Sequence, residues 1–175
     1  MNSTERVRNT ILGLPADRQP IYGWLSSDLD KQISAVYGSV ANFEDQYEFD
    51  VAHIFGGPGS VNWDVVNPIM EANGELTPDL LVDVDFFTDP DQEEAYEGLA
   101  AAVKHHKARD RFCYVQTPGF FEHFNGVLGI ENQLLYLALY PDELGELYRR
   151  QADWTIRFAD RCIDLGLDMI HISDD

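Results

Sequence analysis

The residues able to do chemistry sit where apolar runs end. The run Asp168-Met169-Ile170-His171-Ile172-Ser173-Asp174-Asp175 reads as a strand that finishes on two carboxylates. At the C-terminal end of a parallel strand, Asp174 and Asp175 can orient a substrate or a metal-bound group; the alternative is that they cap the following helix. His171 lies two residues before Ser173 and shares its face. Turned to a pocket it can donate a hydrogen bond or exchange a proton; turned to a core it bonds to a neighbouring strand. His53 lies within Val51-Ala52-His53-Ile54-Phe55, ahead of Gly56-Gly57-Pro58-Gly59. Gly56 and Gly57 can admit a ligand close to the backbone or simply make a tight turn. They do not form a phosphate loop, which needs GxxxxGK. Tyr22 and Trp24 alternate within Ile21-Tyr22-Gly23-Trp24-Leu25 and offer one face two rings, suited to a core or to a flat ligand. Gln116 and Thr117 close Phe112-Cys113-Tyr114-Val115-Gln116-Thr117 and can contact a ligand.

Other titratable groups read more plainly. His123, in Phe121-Glu122-His123-Phe124, fits a pocket or a core. His105 and His106, near Lys104, Lys107 and Arg109, read as a surface pair offsetting a helix dipole. Cys113 and Cys162 stand far apart without CxxC spacing and read as buried, reduced thiols of a cytoplasmic protein. No HxC or paired Cys/His spacing occurs, so no metal site is read in this chain.

Strands and helices must bring these residues together. A first helix is expected from Thr4 to Leu12, N-capped by Ser3, and a first strand at Ile21-Tyr22-Gly23-Trp24-Leu25. Ser27 caps a helix carrying Leu29, Ile33 and Val36 on one face and stopped at Gly38. A helical turn from Phe43 to Phe49 leads into a second strand, Val51 to Phe55. Val61 to Ala72 reads as partly helical, and Asn73-Gly74 as a turn. Asp89 and Pro90 predict the start of a helix that ends on Lys104, Lys107 and Arg109. The third strand is Phe112 to Gln116. Two short helices follow, divided at Gly129. Pro141 opens a long helix with Leu144, Leu147, Tyr148, Phe158, Cys162 and Leu165 inward and Gly166 just past its end. The fourth strand begins at Asp168.

Such alternation predicts an α/β fold with parallel strands, and right-handed crossovers lay successive strands around an arc. The chain has 175 residues. A full (β/α)8 TIM barrel takes about 250. The expectation is therefore a partial barrel: an N-terminal helix and about the first four β/α units, with residues 1–175 forming the N-terminal part of a single domain, truncated after strand 4. The unpaired edges of such an arc invite a homodimer.

With 12 Lys+Arg against 31 Asp+Glu, the formal charge is −19. That excludes nucleic acid and anionic membrane surfaces as natural partners, because phosphates are repelled. No run approaches the roughly 18 apolar residues of a membrane span, and the N-terminus lacks the apolar core of a signal peptide. A small-molecule substrate remains the expected partner.

Glu5-Arg6-Val7-Arg8 through Pro15-Ala16-Asp17-Arg18-Gln19-Pro20-Ile21 resembles the start of uroporphyrinogen decarboxylase-like proteins. Thr117-Pro118-Gly119-Phe120-Phe121-Glu122, Leu128-Gly129-Ile130-Glu131-Asn132 and Tyr140-Pro141-Asp142-Glu143-Leu144 resemble that family's middle segment. Asp164-Leu165-Gly166-Leu167-Asp168 through Asp175 resembles its "G-aD-i-i-DD" strand. The resemblance implies a (β/α)8 barrel about twice this length and one of two chemistries. True decarboxylases strip acetate carboxyls from a porphyrinogen without a cofactor. Their relatives are cobalamin-dependent methyltransferases, which use zinc and a corrinoid, with the zinc ligands in the second half of the barrel. The decarboxylases carry an Arg-rich segment after the first strand, where bidentate pairing clamps substrate carboxylates. Here that segment is Gly23-Trp24-Leu25-Ser26-Ser27-Asp28-Leu29-Asp30. They also place an Asp just past the second strand, where this chain has Gly56-Gly57-Pro58-Gly59. The expectation favours a relative of the corrinoid-linked methyltransferases or demethylases, with a corrinoid protein as partner. A porphyrin-pathway decarboxylase and a non-catalytic barrel fragment are the alternatives. Half a barrel supplies at most half of a site drawn from many strand ends, so the chain alone is expected to be inactive.

Overall fold

A buried charge stands immediately before each strand of this protein. Asp50 (0% exposed) precedes β1 (Val51–Ile54), Arg111 (2%) precedes β2 (Phe112–Pro118), and Asp168 (4% for its side chain) precedes β3 (Met169–Ser173). The computed structural model describes residues 1–174, with Pro118 described through its backbone alone. The described residues form one parallel sheet in the order β1-β2-β3, with Val51 opposite Phe112 and Tyr114 opposite Met169.

The chain enters through α1 (Ser3–Ile11) and passes α2 (Asp30–Tyr37) and α3 (Val40–Gln46) before β1. Between β1 and β2 lie α4 (Trp63–Asn73), α5 (Pro78–Leu81) and α6 (Glu97–Lys107). Between β2 and β3 lie α7 (Phe120–Leu128), α8 (Ile130–Leu139) and α9 (Pro141–Asp164). The buried residues of α9, namely Leu144, Leu147, Gln151, Trp154, Phe158 and Cys162, recur every three or four positions, which is one face of a helix. The C-terminal half of that face packs with Leu99 and Val103 of α6 against Ala52, Ile54, Cys113 and Val115 of the sheet. Its N-terminal half joins Val66, Phe86, Phe124 and Tyr136 in a second, helical core. One face of the sheet is thus covered by helices. The other meets only a small cluster of Val7, Phe112 and Tyr114. No helix among the described residues is long and apolar enough to cross a membrane.

Several expectations need correction. The first strand is absent: residues 21–25 run without regular secondary structure, so the sheet has three strands rather than four and is open. The reason is local. The Ile21 N–H donates to the Asp50 carboxylate at 2.7 Å, and the Ile21 carbonyl accepts from the Asp50 N–H at 2.8 Å, which pins the segment at one point and builds no ladder. The N-cap of α1 is Asn2, in a capping box with Glu5; the Ser3 hydroxyl donates instead to Asp50 at 2.7 Å. Asp89 does not start α6, which begins at Glu97 after a 3-10 turn at Glu93–Tyr96. The Asp89 and Asp91 carboxylates are taken by Arg157 of α9. His106 is no charged dipole partner: burial and the nearby Arg111 push it down to about 4, so it is neutral at neutral pH.

Candidate functional site

The three strands repeat a local pattern of charge, two apolar residues, a ring and an apolar residue. It reads Asp50-Val51-Ala52-His53-Ile54, Arg111-Phe112-Cys113-Tyr114-Val115 and Asp168-Met169-Ile170-His171-Ile172. Side chains alternate along a strand, so the second residue of each goes to the helix-covered core and the third, the ring, to the open face. His53 stacks on Tyr114, with ring centroids 4.4 Å apart and planes 15° apart. His171 lies 6.2 Å from the same ring on the far side. The irregular segment 21–25 adds two more rings. The Tyr22 hydroxyl is 2.6 Å from that of Tyr114, and the Trp24 ring is 6.3 Å from His53. Phe55, just past β1, packs on His53 at 4.2 Å. Tyr22, Trp24, His53 and His171, singled out from the sequence, therefore meet around Tyr114, which was not. The ring at the third position of each strand is the signal that finds it.

Burial disfavours charge on two rings of this face, His53 and Tyr114. Burial, assisted by His171, lowers the pKa of His53, and both its ring nitrogens are buried without a partner. Burial and the Tyr22 hydroxyl raise that of the Tyr114 phenol. Beside the rings opens a cleft of about 470 Å³, walled by Trp24, Leu25, Val40, Val51, His53 and Phe55, with Ser26, Ser27, Asp30 and Glu44 as its polar lining. An apolar depression of about 290 Å³ adjoins it, lined by Val7, Ile11, Tyr22, Tyr114, Met169 and His171.

The remaining candidates scatter. Gln116 is exposed on the ring face, opposite His171 in register, while Thr117 is buried on the other face; neighbours on a strand cannot share a side. Gly56 and Gly57 turn toward the helices. A Cβ on Gly57, whose φ is +89°, would sit 2.7 Å from Phe158, and one on Gly56 would sit 3.2 Å from Leu99. Their lack of a side chain serves helix packing. Asp174 crosses to the start of α7, where its carboxylate accepts from the N–H groups of Phe120, Phe121 and Glu122 at 3.0, 3.1 and 3.1 Å. It is a cap, though of the earlier helix α7 rather than of a following one. A side chain on Gly119 would collide with it. Asp175 lies outside the described residues.

Two other polar groupings lie elsewhere. His123 is buried (8% exposed) against Phe87, with Nδ1 3.2 Å from the Ser60 hydroxyl; burial pushes its pKa down to about 4. At the opposite end of the sheet is a depression of about 680 Å³ lined by Arg6, Arg18, Arg109 and Arg111. Those cations are already paired: Arg6 and Arg18 with Asp50 at 2.5 and 2.6 Å, and Arg109 and Arg111 with Asp45 at 2.7 Å each. Asp168 likewise binds Arg8, Lys107 and the Cys113 N–H. Among the described residues no three His, Cys, Asp or Glu side chains gather as a metal site would require. Burial holds the Cys113 and Cys162 thiols protonated, with pKa values of about 11 and 12. The described residues thus do not fit a zinc ion. No protein-family model matches the chain, and no curated protein matches it either.

Proposed function

We propose that the chain is part of a uroporphyrinogen decarboxylase-like (β/α)8 enzyme, related to those that move methyl groups to or from a corrinoid rather than to the porphyrinogen decarboxylases. Parallel strands in sequential order, helices on one face and inward-turned rings on the other are what an arc of such a barrel would have. The observation that carries the chemical choice is the lining of the ring face and its cleft. Trp24, His53, Phe55, Tyr22, Tyr114 and His171 make up the face, and the acidic groups lining its cleft are Asp30 and Glu44, the latter paired with Arg111, with no guanidinium among the cleft's described lining residues. An octacarboxylate needs guanidinium forks there, and in a field of net charge −19 it would be repelled.

A corrinoid would supply a methyl-accepting cobalt. The residues of this chain would contribute a cluster of rings, with Trp24, Phe55 and Tyr22 exposed, against which an uncharged macrocycle can lie. His53, neutral and without a partner, would add one donor and one acceptor at the cluster's edge. Equilibrium dialysis of the 175-residue chain tests the choice, with hydroxocobalamin in one cell and uroporphyrin in another, at about 0.1 M salt, where surface charge is screened beyond about 10 Å. Retention of the cobalamin, lost in Trp24→Ala and Tyr114→Ala, is the expected result. Retention of uroporphyrin, or of neither compound, overturns the proposal.

A further inference from the structure

Helix α8 turns its apolar side to solvent. Its buried residues are Gln133 and Tyr136. The Gln133 Nε2 donates to the Tyr148 hydroxyl of α9 at 2.9 Å, and Tyr136 packs into the helical core, which fixes the rotation of the helix. The opposite face carries Glu131, Leu134, Leu135 and Ala138, spaced i, i+3, i+4 and i+7, with Ile130 and Leu139 at its flanks. All six are exposed, the four large aliphatics each by more than half. A helix that buries a glutamine and shows leucines inverts the pattern of α9, whose stripe faces the core. Contiguous exposed apolar surface of this kind marks an interaction site. It lies apart from the cleft and the depression of the ring face, neither of which is lined by a residue of α8.

We propose that two copies of this chain pair through α8, helix against helix, antiparallel across a two-fold axis that passes between Leu134 and Leu135. The residue order of the face makes a second copy its occupant. An antiparallel copy sets Leu134 against Leu135 of the other, Ile130 against Leu139, and Glu131 against the small Ala138. Every contact then occurs twice, as a two-fold interface requires. Glu131 is the one charged residue of the helix. In this arrangement the two Glu131 carboxylates stand seven residues apart along the helix, about 10 Å, and on different axes about 8–10 Å apart. That separation exceeds the roughly 10 Å over which charges interact at 0.1 M salt. A parallel copy would set them side by side. Each molecule carries a net charge of −19, so two copies can approach only on a face with almost no charge, and α8 supplies it. The helix is about 15 Å long and 10–12 Å wide, less than the roughly 800 Å² per partner of a standard interface, so the pair is transient. The inference is independent of what the ring face binds.

Sedimentation velocity of the full chain, from about 1 to about 300 µM, provides the test. Reversible dimerisation is expected, with a dissociation constant of about 10–100 µM. It is expected to tighten severalfold between about 0.05 and 0.3 M salt, as screening relieves the repulsion between two molecules of charge −19. Leu134→Glu is expected to weaken the pair at least tenfold and Leu135→Lys severalfold. Mixed in equal amounts, the two variants are expected to recover it, because the two-fold axis sets the new carboxylate against the new ammonium. Cross-linking gives a second measurement should far-UV circular dichroism show that Leu134→Glu has lost its fold. A short bis-maleimide is expected to join two copies of Leu134→Cys but not of Ile156→Cys, a comparably exposed position on α9; the native Cys113 and Cys162 thiols are buried and do not compete. A chain that stays monomeric throughout overturns the inference and leaves α8 to a partner of another sequence. Association that salt weakens, undiminished association of folded Leu134→Glu, or equal cross-linking from positions 134 and 156 overturns it as well.

Discussion

Asp174 is a carboxylate with its valence already spent on three peptide N–H groups at the start of α7. Replacing it with Ala should cost about 1 kcal/mol, as loss of an N-cap does, and a urea titration that shows no change would refute the capping role. Gly57→Ala should cost about 1–3 kcal/mol, because it combines a positive φ with a collision against Phe158. At this scale the sequence was legible where a residue's neighbours along the strand decide its face. His53 and His171 could be paired with a side of the sheet from alternation alone. Tyr114 follows the same rule but was read only as part of an apolar strand. Gln116 and Thr117 broke the rule as a pair, since adjacent strand residues point apart. What alternation cannot say is whose backbone a carboxylate will reach; Asp174 finds N–H groups more than fifty positions earlier in the chain.

Among the elements, the strand starts carry the strongest coupling. Asp50 accepts from Arg6, Arg18, Ser3 and the Ile21 N–H. Burial alone would raise its pKa, but the Ile21, Ser3 and Arg18 hydrogen bonds outweigh that and hold it below the usual carboxylate range. Asp50→Ala strands the Arg6 guanidinium, still bound to Asp17 but buried, and should cost about 3 kcal/mol. Arg149→Ala, which breaks two exposed pairs with Glu146 and Asp153 on α9, should leave the midpoint nearly unchanged. Guanidinium denaturation of the two variants side by side checks the contrast, and equal losses would contradict it. The helices were legible from periodicity and stop signals: α9 keeps its apolar stripe, and Gly38, Gly74 and Gly129 end helices at positive φ. The segment 21–25 was not legible as irregular, because its alternation is that of a strand. A single tertiary partner, Asp50, takes the first N–H that a ladder would have used. The late start of α6 has a similar origin, with Arg157 drawing Asp89 and Asp91 away from the helix end.

For the molecule as a whole, the buried imidazoles set the acid limit. The pKa of His123 falls from 6.5 in the unfolded chain to about 4 in the fold. Between those values the unfolded state binds the extra proton, so unfolding becomes easier as pH drops from about 6.5 toward 4, by about 3 kcal/mol at most from this residue. His106 acts in the same direction. The carboxylates of Asp50 and Asp168, held low, surrender their share only at still lower pH. Urea midpoints at pH 7, 5.5 and 4.5 should fall in that order, and His123→Gln should flatten the trend; an unchanged slope in that variant would exclude His123 as its source. Charge and ring also take successive places along the same short strands, the charge before the first residue and the ring at the third. Every strand begins in an ion-paired knot, and the ring cluster and its cleft open farther along the chain direction. Substitutions at the cleft's exposed positions, such as Trp24 and Phe55, can therefore accumulate with little loss of the native state, whereas Glu44, paired with Arg111, belongs to the anchored end. Selection can retune what the cleft holds in small steps, while the anchored end tolerates almost no drift.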